Sequence, residues 1–340
     1  MHTLVTGGFG FIGTHLTRRL LRDPRRTVHV VDNLSTSTTD PAKFVEDLEG
    51  AERLTFDIST VKDYCSTRRS AKFDQVFHLA SVVGPVGVLQ HAGRIAQSIV
   101  VDGALITDLA VECGARLVDV STSEVYGGGR DGYCSERDFK VIQAESTVRL
   151  EYAVGKLAGE IATLNRSKVS ALHVSIVRPF NVAGPGQSGK GGFVLPRFIG
   201  QALSGEPLTV YGDGRMIRAF THVADIVEGL ILVMESGQSG EVYNLGNPAN
   251  KTSILQLAER VVRLTKSPSA IRFVDPKEIF GPLFAEANDK YPDADKAMNG
   301  LRWIPQFDLD AIIDETTASM SASAVHITPR GVSVEPSLGS

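Results

Sequence analysis

The stretch VTGGFGFIGTH, residues 5–15, constrains this chain more than any other part of it. Gly7, Gly10 and Gly13 fall three residues apart, between the β-rich run HTLVTG and the helical run FIGTHLTRRLLRD. Backbone without Cβ atoms turns tightly there and comes close to whatever sits at the positive N-terminus of the helix. The next β-rich run, TVHVVD, ends on Asp32. Strand, glycine turn, helix and a second strand closed by an acid predict a Rossmann-type parallel sheet that binds a dinucleotide. Gly7, Gly10, Phe11, Ile12 and Gly13 would cradle the pyrophosphate, and Asp32, with Asn33 beside it, would face the ribose hydroxyls. A carboxylate there repels a 2′-phosphate and no arginine follows in DNLSTS, so NAD is expected over NADP. The competing reading is a tight turn that holds no ligand.

The alternation continues through the first half. FDQVFHLA and ARLVDVSTSE read as strands separated by the helical stretch GRIAQSIVVDGALITDLAVECG, and ALHVSIVRPFN is a further strand. This predicts an α/β fold, a doubly wound parallel sheet covered on both faces. In FDIST, Asp57 and Ile58 are expected near the adenine. In HLASVVG, Leu79, Ala80 and Ser81 fall at a strand's C-terminal edge, where cofactors bind in such sheets. From about Phe180 the texture changes to glycine-rich loop, helices and short strands, which predicts a smaller mixed α/β lobe. The expected division is 1–179 for the dinucleotide domain with a returning segment at 220–246, and 180–219 plus 247–318 for the substrate-binding lobe. Residues 319–340, rich in Ser, Pro and Gly, read as a flexible tail.

Bulk properties exclude several classes. A net charge of −4 offers nothing to nucleic acid or an anionic membrane. No apolar run reaches membrane-spanning length, and the first strand begins where a signal peptide would lie. Cys65, Cys113 and Cys134 are widely spread and lack metal-site spacing, so a reduced cytoplasmic compartment is expected. His78 and His222 have no acid or cysteine cluster with them and read as structural, with no metal site.

STVRLEYAVGK places Tyr152 one helical turn before Lys156. A phenol packed on an aliphatic stem explains the pair; so does a base. A free phenol titrates near 10, and bringing it to about 7 takes roughly 4 kcal/mol of preference for phenolate. An ammonium one turn away and a cationic nicotinamide are suitable sources.

Together, the glycine turn, HLAS, STSEVYG and Tyr-x-x-x-Lys resemble the extended short-chain dehydrogenase/reductase family. The similarity is greatest to its nucleotide-sugar epimerases, dehydratases and decarboxylases. It spans roughly residues 1–315 and includes RPFNVAGP, GEPLTVYGDG and RAFTHVADI. It implies that Tyr152 takes the proton of a sugar hydroxyl while hydride leaves for the nicotinamide. Lys156 would also hold the nicotinamide ribose, and Thr122 would bond the reacting oxygen. Ser123 and Glu124 fall where related decarboxylases and dehydratases place a second-step acid or base, and ordering of the loop is the competing role for Glu124. Asn181 and Arg218 become candidates for the diphosphate, Leu195 and Tyr211 for the nucleobase. Related uronate decarboxylases carry an arginine after GP and another just before the C-terminal PD. This chain has Gly186 and Lys290 there, which weakens the grip on an anionic sugar. The leading expectation is therefore an NAD-dependent nucleotide-sugar 4-epimerase working through a 4-keto intermediate on a nucleotide-diphosphate sugar, most plainly a UDP-sugar. UDP-glucuronate decarboxylase, a 4,6-dehydratase and a non-catalytic NAD-binding redox sensor are the alternatives. The resemblance also implies a homodimer through a four-helix bundle built from the helix around Ile95–Cys113 and the tyrosine–lysine helix.

Overall fold

The structure, a computed structural model, describes residues 1–325 apart from 38, 68–71, 128–132, 141, 143, 282 and 285–288. Its centre is a seven-stranded sheet. The strands are β1 (His2–Thr6), β2 (Thr27–Asp32), β3 (Leu54–Ile58), β4 (Gln75–His78), β5 (Arg116–Val120), β6 (His173–Pro179) and β7 (Glu241–Leu245). They run in the order β7-β6-β5-β4-β1-β2-β3, every pair parallel. The order reverses beside β1, which opens a crevice at the C-terminal ends of β1 and β4.

Period-two burial explains why these runs are strands. Val5, Val30, Phe77, Val118 and Val177 enter the core on one face, with α1 (Phe11–Leu21). Their neighbours Leu4, Val31, Val76, Leu117 and Ile176 enter the core on the other, with α2 (Ile95–Cys113). Each adjacent pair points to opposite faces, and both faces are dry. α3 (Val148–Val169) packs against α2 and carries the tyrosine–lysine pair. Its start is capped by the Thr147 hydroxyl, which accepts from Leu150 N.

The smaller lobe has its own apolar interior. α4 (Val194–Leu203) supplies Leu195, Phe198, Ile199 and Ala202, the one-sided spacing of an amphipathic helix. α5 (Val223–Ser236) returns to the sheet, and β7 joins it as the edge strand. α6 (Ile254–Thr265), fixed by a Ser253–Gln256 capping box, and α7 (Leu309–Val325) close the lobe. Short strand pairs join the layers: Ile217–Ala219 lies antiparallel to Lys251–Ser253, and Tyr133–Cys134 lies parallel to Tyr291–Pro292.

The tail differs from expectation at its start. Residues 319–325 are the last turns of α7, and Met320 packs on the lobe core. Residues 319–325 read with the Ser-, Pro- and Gly-rich stretch that follows them, whereas alanine favours helix and tertiary packing fixes it there. Residues 326–340 lie outside the described residues.

Candidate active site

The glycine turn is built as a cradle. Gly7 takes φ +71°, and a Cβ there would sit 2.8 Å from Ala80 N. At Gly13 a Cβ would fall 2.1 Å from the Gly7 carbonyl oxygen. Gly10 is the N-cap of α1 and has no side chain to occupy the helix N-terminus, and Phe11 and Ile12 open the first turn. Asp32 is 9 % exposed at the end of β2, and its carboxylate accepts from Phe9 N at 2.9 Å and Leu34 N at 2.8 Å. Two lone-pair positions remain for hydroxyl donors. Ile58 is the register partner of Asp32 and is exposed, so the two meet at one rim of the crevice. Asp57 instead pairs with His29 at 3.0 Å on β2. Asn33 spends its side-chain oxygen on Ser35 N. Leu79 and Ala80 hydrogen-bond to Thr6 and close the other side of the Gly7 turn, with Ser81 next in line. These groups fit a dinucleotide: a cradle that any methyl would block, a helix N-terminus and a buried acid.

Across the crevice, Tyr152 is 7 % exposed and its phenol faces the Thr122 hydroxyl. Thr122 also caps the turn Ser123–Tyr126, accepting from Glu124 N at 3.2 Å. That turn buries Ser123 and leaves Glu124 partly exposed. Glu124 accepts from Arg149 Nη1 at 2.5 Å and from the Lys290 ammonium. The two cations hold its carboxyl well below the usual carboxylate range, against the burial that would raise it. Arg218 lies beside Lys290 through a backbone bridge, and both are buried. Among the described residues, Arg149, Arg218 and Lys290 thus gather near Glu124.

Two expectations change. Lys156 was expected to draw the Tyr152 phenol down. Burial first, then the Glu124 charge, push that phenol above its usual value, and only the Thr122 hydroxyl acts downward. Lys156 is turned to the Val120 carbonyl at 2.9 Å and faces Asp119, Glu160 and Asp102. Second, Leu195 is 1 % exposed inside the smaller lobe's core, because it shares the apolar face of α4 with Phe198 and Ile199. It packs rather than presenting a face to a ligand. Asn181, at φ +33°, gives one amide N–H to the Ala219 carbonyl at 3.2 Å and keeps a second donor. Tyr211 keeps an aromatic setting: the Arg197 guanidinium lies 4.0 Å above its ring, and Phe280 and Phe284 meet its edge.

Arg149 was not foreseen, although its place three residues before Tyr152 puts both on one helix face. His78 hydrogen-bonds Thr6 at 2.7 Å, and His222 stacks on Phe307 at 3.9 Å. Among the described residues there is no group of three or more His, Cys, Asp or Glu placed to hold a metal. Nor is any described helix long and apolar enough to cross a membrane.

Sheet order, glycine cradle and the Thr-Tyr-Lys constellation define a class, and residues 3–246 match the NAD dependent epimerase/dehydratase family. The chain belongs to that family; it is an enzyme and NAD is its cofactor. It is 33 % identical over 314 residues to a UDP-N-acetyl-alpha-D-glucosaminuronate decarboxylase of Bacillus cytotoxicus, covering 92 % of this chain and 95 % of that one. Among solved structures it resembles the UDP-glucose 4-epimerase of Thermotoga maritima (TM-score 0.82, 25 % identity, 95 % and 100 % of the two chains). A UDP-glucuronic acid 4-epimerase of Bacillus cereus, solved with UDP-glucuronic acid and NAD, matches with TM-score 0.82, 25 % identity and the same coverage.

Proposed function

We propose that this enzyme decarboxylates a UDP-activated sugar uronate through a transient 4-keto intermediate. The observation that carries the reading is the basic cluster around Glu124. Loss of two arginines argued for a neutral sugar, yet Lys290, Arg149 and Arg218 converge there. Basic side chains gathered at that end of the site suit recognition of a substrate carboxylate. The decarboxylase among the relatives, similar over nearly its whole length, supports the same outcome.

Tyr152, held by Thr122, takes the C4 hydroxyl proton. When bound, NAD would supply reversible hydride acceptance at C4 and a cationic ring that favours phenolate. Lys156 holds the nicotinamide ribose and Asp32 the adenosine ribose, while Gly7, Gly10 and Gly13 seat the pyrophosphate. With C4 a ketone, the carbon–carboxylate bond at C5 breaks, carbon dioxide leaves, and the bonding electrons enter an enolate. The proton now on Tyr152 hydrogen-bonds that enolate oxygen, and C5 takes its proton from water. Glu124, kept ionised, orients the cations and has no proton to give. Arg218 and Tyr211 serve the diphosphate and the nucleobase.

A 4-epimerase is the second reading, favoured by the structural likeness to two such enzymes. Incubation with UDP-glucuronate and its N-acetylamino counterpart, read by product mass, separates them. Loss of carbon dioxide is expected; a new isomer of unchanged mass overturns the decarboxylase in favour of the epimerase. Tyr152→Phe should lower turnover about 10³-fold and leave NAD bound. Undiminished turnover would remove Tyr152 from the mechanism.

A further inference from the structure

A second cluster of ionisable groups lies behind Tyr152, where α2 and α3 pack on the sheet. Lys156 is 7 % exposed and gives one of its three donors to the Val120 carbonyl. Asp119, the residue before Val120 on β5, is 9 % exposed. In register it stands beside His78 on β4, whose ring is already bonded to Thr6. Lys156, Asp119, His78 and Ser121 line a cavity of ≈ 10 Å³, between Gly103 of α2 and Gly159 of α3. The Ser121 hydroxyl is buried there with no partner among the described residues. A polar space of that size takes one water, which needs two to four partners; ammonium, carboxylate and hydroxyl supply them.

We propose that Asp119 is a positioning residue: across this one-water cavity it is the counter-ion that keeps Lys156 an ammonium beside Tyr152. The inference rests on Tyr152–Lys156 as the catalytic pair. Burial opposes a charged Lys156, and Asp119, Glu160 and Asp102 oppose that burial. Glu160 on α3 is spoken for, since Arg178 of β6 grips it at 2.9 and 2.5 Å. Asp102 on α2 is only partly buried. His78 adds no charge, because burial pushes it down to about 3. Asp119 is the remaining fully enclosed anion that faces the lysine. Burial pushes both Asp119 and Asp102 up to about 6, so the counter-charge is present above that pH and is lost below it.

The test compares the NAD-loaded wild type with Asp119→Asn, Asp119→Glu and Asp102→Asn. Without its counter-ion Lys156 loses its proton at lower pH. Asp119→Asn should therefore move the alkaline limb of kcat down by about one pH unit with KM unchanged. Asp119→Glu should keep the wild-type limb, and Asp102→Asn should move it less. In urea unfolding, Asp119→Asn should flatten the fall in stability that the wild type shows as pH rises from 4 to 6. An alkaline limb unmoved in folded Asp119→Asn, or an unchanged stability profile, overturns the proposal. If instead Tyr152→Phe stays active, the catalytic reading falls, while the urea comparison still decides whether Asp119 is the titrating counter-ion.

Discussion

Glu124 holds two cations drawn from other elements, Arg149 from α3 and Lys290 from the strand segment ahead of Tyr291. A carboxyl kept below its ordinary value of 4.5 contributes stability above that value, and the contribution is lost as pH falls through the lower folded value. Replacing Glu124 with Gln takes away the carboxylate that the buried Lys290 and the half-buried Arg149 both grip. Urea unfolding at pH 7 should show a loss of about 3 kcal/mol. The variant should also lose less stability than wild type on acidification below pH 4.5, because the group whose ionisation is linked to folding is gone. In turnover, Glu124→Gln should still oxidise C4, seen as a rise in reduced-nicotinamide absorbance, and decarboxylate about 10²-fold more slowly, because the cations it orients no longer position the substrate. Tyr152, Lys156 and Glu124 could be picked from the sequence because motif spacing marks them. Arg149 was recoverable from helical spacing alone. Lys290 was noted as a weakened grip, since no one-dimensional pattern shows that Arg218 and Arg149 arrive beside it. Asp119 carried no signal: its partner Lys156 reaches it only through the packing of α3 on β5.

The elements were the plainest part of the chain to read. Two-residue alternation in TVHVVD and ARLVDV, broken by a helical period in FIGTHLTRRLL, dictates parallel strands with crossing helices. The smaller lobe was harder, because its strands are short and its order comes from a core shared by α4, α6 and α7. Leu195 was misread for that reason: near a glycine loop it looks like a pocket wall, but its helix face turns it inward. The α7 end failed in the same way, where Met320 anchors a Ser/Ala run against the lobe core. At the first turn the geometry permits a sharp test. Gly13→Ala would force a methyl to within 2.1 Å of the Gly7 oxygen, which is backbone and cannot swing aside. The turn must open, so the purified variant should carry at least tenfold less bound NAD than wild type, measured by release and absorbance. Retention of wild-type NAD content would show that the turn relaxes without closing the pyrophosphate cradle.

At the scale of the molecule, the two layers are tied by the segment that follows residue 300. Trp303 is 1 % exposed and donates its indole N–H to the Asp225 carbonyl at 2.8 Å, and Asp225 accepts from Gln306 and Phe307 N–H groups. The lobe is thereby locked to α5 at the sheet, with the crevice between them. A different surface is left open. On α3, Val154 and Ile161 lie two turns apart on one face, 38 % and 53 % exposed. On α2, packed alongside, Val101 is 39 % exposed. Apolar side chains aligned on paired helices are what a two-fold copy covers, since the same face presented twice is self-complementary. The family resemblance implies such a bundle, and we propose a homodimer formed by α2 and α3 of each copy. Sedimentation of the wild type should give a dimer. Ile161→Glu would bring a carboxylate into an interface that must repeat it, so the variant should sediment as a monomer and weaken dimerisation by at least 10²-fold. The active site is formed within one copy, so the monomeric variant should keep its bound NAD. A wild type that sediments as a monomer would mean that these side chains are simply exposed.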